Sequence, residues 1–230
     1  ISTPGTPETI GTEMIVINDF KAEPQEMRLA MLDAISRVVD SGWYILGGEL
    51  TAFERDWARF CGAEYAVGVA NGMDAIEISL RLLDIGPGDE VITTPMTAFA
   101  TVLAIVRAGA TPVLADIDKE TALLSRDSVE RCISPRTRAV MPVYLYGQMR
   151  DAAAWRNLCA EKGIELVEDC AQAHLAQLDG KVAGTFGRLG AYSFYPTKNL
   201  GALGDAGALI TNEAGLAERA ARLRNYGQSV

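Results

Sequence analysis

Short continuous apolar runs, alternating with stretches of helical hydrophobic spacing, constrain this chain more than any other feature. The runs occupy residues 65–70, 90–94, 111–117, 139–146, 164–170, 190–195 and 207–211. Between them lie segments such as MDAIEISLRLLDIG, FATVLAIVRAG, MRDAAAWRNLCAEKG and AGLAERAARLRNYG, each closed by a glycine where a helix would end. A strand that is apolar at nearly every position must be covered on both faces, and helices in the connections supply that cover. The pattern predicts an α/β fold, a mostly parallel central sheet with helices on both faces. Ligands bind such sheets beyond the carboxyl ends of the strands, so the loops that follow the apolar runs are where chemistry is expected.

With 230 residues, 49% hydrophobic and 22% charged, the chain can bury a sizeable core. Residues 1–18, with STPGTPETIGT, have no periodicity and read as an N-terminal arm, leaving 19–230 as the domain. A net charge of -9 and a pI near 4.7 argue against a nucleic-acid partner, because counterion release needs a basic surface. Any anionic nucleotide has to be met by local arginines. Cys61, Cys132, Cys159 and Cys170 show no C-x-x-C spacing and His174 is the single histidine. No usual zinc site is expected from them, and the cysteines read as reduced thiols, mostly in the core. No apolar run approaches the roughly 20 residues that cross a bilayer, and no signal-peptide pattern opens the chain. A cytoplasmic protein without a membrane partner is the expectation. LGALGDAG follows no strand directly and lacks a downstream acid in a strand-turn-helix unit, which sets aside a dinucleotide-binding reading.

The chemistry concentrates in VEDCAQAHLAQLDGKVAGTFGRLGAYSFYPTKNLGALGDAGALITN, residues 167–212. Of the lysines, only Lys198 follows an aromatic, strand-like run and precedes a glycine-punctuated turn. A lysine amine can hold an aldehyde cofactor as a Schiff base and shuttle protons when its surroundings leave it partly neutral. A buried carboxylate such as Asp169 can keep a pyridine nitrogen protonated, and the protonated ring stabilises a carbanion at the substrate carbon. Gln172, three residues on, is placed to hydrogen-bond a ring hydroxyl. Acid, amide and lysine together suit pyridoxal 5'-phosphate. Taken singly, each has a plainer reading: Glu168-Asp169 as a strand-to-loop cap, Lys198 as a helix-start or surface charge. Upstream, ANGMDAIEISLRLL follows YAVGVA, so the Asn71-Gly72 turn opens a helix whose free N–H groups suit a phosphate. Asp74 reads as a first-turn acid of that helix. Ser193 offers its hydroxyl to the phosphate from the other side.

EDCAQAH, SFYPTKNLGALGDAGA, NGMDA and WYILGGELTAFE resemble the DegT family of fold type I pyridoxal-phosphate enzymes, the nucleotide-sugar aminotransferases, from about residue 19 onward. The resemblance implies a PLP-dependent transferase-like large domain. In it, Lys198 is the Schiff-base lysine, Asp169 the partner of the pyridine nitrogen and Gln172 a contact to the cofactor hydroxyl. Ser193 and the backbone around Gly72 and Met73 then hold the phosphate. It further implies that an amino group passes from an amino acid, glutamate, to a nucleotide-linked keto-sugar, with Lys198 moving the proton. The family's homodimers build each active site with residues borrowed from the neighbour. Lysine at 198 separates the chain from the related dehydratases, which carry histidine at that position. Ala206, where many relatives have glycine, is most similar to members acting on 3-keto sugars carried by thymidine diphosphate. The chain departs from the family pattern twice. Met73 stands where many members have a small hydroxyl residue, leaving only backbone donors. Ala98, in MTAFAT, stands where an aromatic often stacks on the cofactor ring, and Phe99 is expected to point elsewhere.

Trp43, Tyr44 and Tyr226 are the substrate-side candidates, with burial in an aromatic core as the other reading of each. Arg224 either meets a phosphate or suits a helix end. Family members continue past LRNYG into a smaller C-terminal domain whose Asn-x-Arg motif reaches the phosphate across the dimer. With the sequence stopping at Val230, that domain is expected to be absent from this chain, whether by fragmentation or natural truncation. Two other readings follow: a non-catalytic relative that binds cofactor or nucleotide sugar, and a truncated paralogue with a structural role.

Overall fold

The strands sort their side chains, one residue to each face, between two separate apolar layers, and this alternation builds the fold. The structure is a computed structural model that describes residues 17–228 and divides into two units, Ile1–Ile45 and Leu46–Val230. The expected arm lies almost wholly outside the described residues. The first unit holds α1 (Gln25–Ser41), which starts after Pro24, carries Glu26 in its first turn and ends where the Gly42 N–H donates to the Val39 carbonyl. An Asp33–Arg37 ion pair of 2.8 Å links successive turns.

The second unit contains β1 (Tyr65–Val69), β2 (Glu90–Thr93), β3 (Thr111–Leu114), β4 (Thr137–Val140), β5 (Glu165–Asp169), a small hairpin of β6 (Gln177–Leu178) and β7 (Lys181–Val182), then β8 (Leu189–Ser193) and β9 (Gly207–Thr211). Seven of these form one sheet in the order β1-β9-β8-β5-β4-β2-β3. Pairings from β8 through β5, β4 and β2 to β3 are parallel, while β9 runs antiparallel to both β8 and β1. The helices are α2 (Gly48–Cys61), α3 (Gly72–Leu82), α4 (Phe99–Ala108), α5 (Arg126–Cys132), α6 (Ala152–Lys162) and α7 (Ala214–Leu223).

Successive strand residues go to opposite layers, as the period of two requires. Val91, Ala139, Val167, Ala191 and Leu209 pack with α3, α4 and α7. Their neighbours Ile92, Val140, Leu166, Tyr192 and Ile210 pack with α2, α5 and α6. The mostly parallel sheet covered on both faces is therefore as expected, and the continuous apolar runs are its cause. Each fully buried large side chain stabilises by about 1.5–3 kcal/mol. Cys61, Cys159 and Cys170 are buried and Cys132 half-buried, all as free thiols. Burial pushes the Cys61 thiol up to about 11 and the Cys159 thiol up to about 12.

Most strands fall a residue or two short of the apolar runs that foretold them, and two stop three or more residues early. The run 139–146 is a strand only through Val140. Pro142 has no N–H for the ladder, and beyond it the chain keeps a single bridge, Val143 to Asp169, before the turn Leu145–Gly147, where Tyr146 takes φ 56°. The run 111–117 likewise ends as a strand at Leu114, and Ile117 instead bridges back to Leu124. The helix expected over 73–86 stops at Leu82, with Asp84 at φ 56° beyond it, and the one expected over 214–227 stops at Leu223.

Candidate cofactor site

Strand register brings the site together before any side chain acts. Gly207, the first residue of β9, lies opposite both Val69 at the end of β1 and Ser193 at the end of β8. The start of α3, directly after β1, therefore meets the end of β8 at one edge of the sheet. A Cβ on Gly72 would stand 2.6 Å from the Ser193 Cβ, so only glycine permits this approach. Because β9 is antiparallel to β8, the connection 194–206 stays at that same edge, and it carries Lys198. It is pinned by Ala202 N–H to the Phe194 carbonyl at 2.7 Å, Lys198 N–H to the Tyr195 carbonyl at 2.8 Å and Phe194 N–H to the Ala206 carbonyl at 2.8 Å.

A cavity of about 420 Å³ opens here, and Gly72, Met73, Asp169, Gln172, Ser193 and Lys198 all line it. Its volume falls within the roughly 300–1,000 Å³ usual for small-molecule sites. Asn71 caps α3 in extended conformation, its side chain accepting the Asp74 N–H at 2.8 Å. That cap uses one of the helix's unpaired donors and leaves the Gly72 and Met73 N–H groups at the positive end of the dipole. Asp74 is occupied at the helix start, 3.3 Å from Arg107.

Asp169 ends β5 and is 3% exposed. Its Oδ1 accepts the Ala171 N–H at 3.1 Å, and its Oδ2 accepts the Thr101 hydroxyl at 2.8 Å. Burial pushes its carboxyl above the usual range, opposed by the Ala171 N–H, the Thr101 hydroxyl and the charge of Lys198. Gln172 accepts the Tyr146 N–H at 2.9 Å on Oε1, which leaves its NH2 group to donate elsewhere. Glu168, one residue before Asp169, faces the opposite layer. There it accepts Tyr144 Oη at 2.8 Å and the N–H groups of Gly184, Phe186 and Gly187 at 3.0, 2.8 and 2.7 Å. Burial raises its carboxyl and the four donors pull it back.

The remaining candidates are described each within its own unit. Trp43 and Tyr44 belong to the first unit, where the Trp43 indole N–H donates to the Ile45 carbonyl at 2.7 Å. Tyr226 is 94% exposed, so it is no core aromatic, and it does not line the cavity. Arg224 neither lines the cavity nor merely ends a helix: it pairs with Glu54 and donates to the Gly68 carbonyl at 3.0 Å, tying the end of α7 to α2 and β1. Ala98 lines the cavity while Phe99 is 75% exposed and does not. Thr97, Thr101 and Asp205 line it too and were not singled out from the sequence. The one available signal was the four-residue spacing of Thr97 and Thr101. Among the described residues, no group of His, Cys, Asp and Glu could hold a metal ion.

A model of the DegT/DnrJ/EryC1/StrS aminotransferase family matches residues 25–230. The chain is 47% identical over 216 residues to a dTDP-3-amino-3,4,6-trideoxy-alpha-D-glucose transaminase of Streptomyces venezuelae, covering 94% of this chain and 57% of the relative. It is 48% identical over 214 residues to a dTDP-3-amino-3,6-dideoxy-alpha-D-galactopyranose transaminase of Aneurinibacillus thermoaerophilus, covering 93% and 59%. Among solved structures, Streptomyces venezuelae DesV in complex with a ketimine intermediate superposes with a TM-score of 0.89 at 48% identity, over 92% of this chain and 57% of that one. NtdA from Bacillus subtilis with bound cofactor PMP gives a TM-score of 0.81 at 30% identity, over 86% and 45%. The chain thus spans little more than half the length of the curated relatives it matches.

Proposed function

The chain belongs to the DegT/DnrJ/EryC1/StrS aminotransferase family, and on that premise we propose that it is the cofactor-binding part of a pyridoxal 5'-phosphate-dependent sugar aminotransferase. The amino group passes from glutamate to a nucleotide-linked keto-sugar, a thymidine-diphosphate 3-keto deoxysugar first among them. One observation carries the reading: Lys198 and the buried Asp169 line a single cavity that also holds the open N-terminus of α3. Relatives named as transaminases of dTDP-linked 3-amino deoxysugars support the substrate class.

The residues fit the cofactor. The Gly72 and Met73 N–H groups and the Ser193 hydroxyl receive its phosphate, and no side chain at Gly72 blocks the approach. When bound, pyridoxal phosphate supplies an aldehyde for amine exchange and a ring that withdraws electrons from the substrate carbon. Asp169 holds a proton on the ring nitrogen, and its burial keeps that pairing out of water. Gln172, its carbonyl fixed by the Tyr146 N–H, donates its amide NH2 to the ring hydroxyl. With the cofactor bound, Lys198 Nζ would accept and return the proton of the substrate carbon. Ala98 leaves one wall of the cavity without an aromatic side chain.

The protein works as a homodimer in the cytoplasm. The free buried thiols support a reducing compartment, and among the described residues no helix is long and apolar enough to cross a membrane. The test is the visible spectrum of the full-length protein with pyridoxal phosphate, followed by borohydride reduction and peptide mapping. An absorption band bleached by glutamate, an adduct on Lys198 and turnover of a thymidine-diphosphate 3-keto sugar are expected. An adduct scattered over other lysines, or no band, overturns the reading.

A further inference from the structure

The two oxygens of Asp169 are held from different elements, one by its own loop through Ala171 and one by α4 through Thr101. Thr101 is 2% exposed, and its hydroxyl also stands 2.7 Å from that of Thr97, which is half-buried just ahead of α4. Proton counting sets a direction. Thr101 has one hydroxyl proton; when it goes to Asp169 Oδ2, the contact with Thr97 must be a bond that Thr97 donates. The row runs from Thr97 through Thr101 to the carboxylate while Asp169 is ionised, and it reverses if Asp169 takes a proton. Packing does not explain Thr101, because valine has the same shape and a hydroxyl buried without a partner costs about 1–3 kcal/mol. The bond to Asp169 does explain it.

We propose that Thr101, backed by Thr97, is a positioning residue that holds Asp169 as a carboxylate turned toward the ring nitrogen of the bound cofactor, an inference that rests on the role given to Asp169 above. Thr97 and Thr101 also line the cavity, and an effect carried through Asp169 disappears when the ring has no nitrogen to pair with.

Equilibrium dialysis of the full-length protein tests this with pyridoxal phosphate and its 1-deaza analogue, in which carbon replaces the ring nitrogen. Wild type binds pyridoxal phosphate more tightly than the analogue. Thr101→Val weakens binding of pyridoxal phosphate by about tenfold and leaves the analogue unchanged, while Thr101→Ser restores the wild-type value. Thr97→Val gives the same selective loss at a smaller size, and it decides the question if Thr101→Val does not fold. Equal weakening of both molecules, or a Thr101→Ser as weak as Thr101→Val, overturns the proposal and leaves the role of Asp169 standing. A wild type that binds both molecules equally overturns that role as well, and this proposal with it.

Discussion

At the scale of single residues, Lys198 and Gly72 give opposite kinds of test. Lys198→Ala removes an amine from a half-buried loop position that pairs with no carboxylate among the described residues. The fold should persist while the borohydride-trapped adduct vanishes and amino transfer falls by about 10³-fold or more. Gly72→Ala acts sterically, since its Cβ would lie 2.6 Å from Ser193 Cβ. Urea denaturation should show a loss of about 1–3 kcal/mol, with the Kd for pyridoxal phosphate raised about tenfold. Lys198, Asp169 and Gln172, which line one cavity, could be put forward from the sequence because residue type and local order suffice to suggest them. Thr101 was not. Its bond to Asp169 spans 68 positions, and a threonine on an amphipathic helix carries no local mark of a distant carboxylate.

At the scale of elements, the buried Glu168 governs how β5 is seated. Glu168→Ala leaves the Tyr144 hydroxyl and three backbone N–H groups without an acceptor. It should destabilise the protein by about 3–5 kcal/mol in denaturant titration. Because Glu168 and Asp169 are neighbours on one strand, a loosened clamp should also weaken cofactor binding. Only the plainer reading, a strand-to-loop cap, treats the pair as one acidic feature; the chemical reading singles out Asp169. The period of two in β5 assigns them to opposite layers, one to structure and one to the cavity. Most strands and the four named helical segments followed from apolar patterning. The run 139–146 did not, because an apolar run shows that a segment is buried without showing where its ladder stops, and Pro142 stops this one.

At the scale of the whole molecule, stability should depend on pH through the single histidine. His174 packs against Trp57, Tyr192 and Phe194. Burial pushes it below its ordinary 6.5. The unfolded chain therefore binds a proton that the folded one refuses, so His174's contribution is full above 6.5 and is lost as pH falls from there through the lower folded value. Glu168 and Asp169, both raised by burial, act with the opposite sign but are common to wild type and variant. Moving from about pH 7.5 to about pH 5.5 should lower the wild-type thermal midpoint by about 2 °C more than that of His174→Gln. Strand and helix content and the identities of the acid and the lysine are written locally, since hydrophobic period and side-chain chemistry need only near neighbours. The meeting of α3 with the end of β8, the lysine loop held at the same edge and the hydroxyl that reaches Asp169 arise only on assembly of the sheet, because strand register couples residues that no local pattern connects.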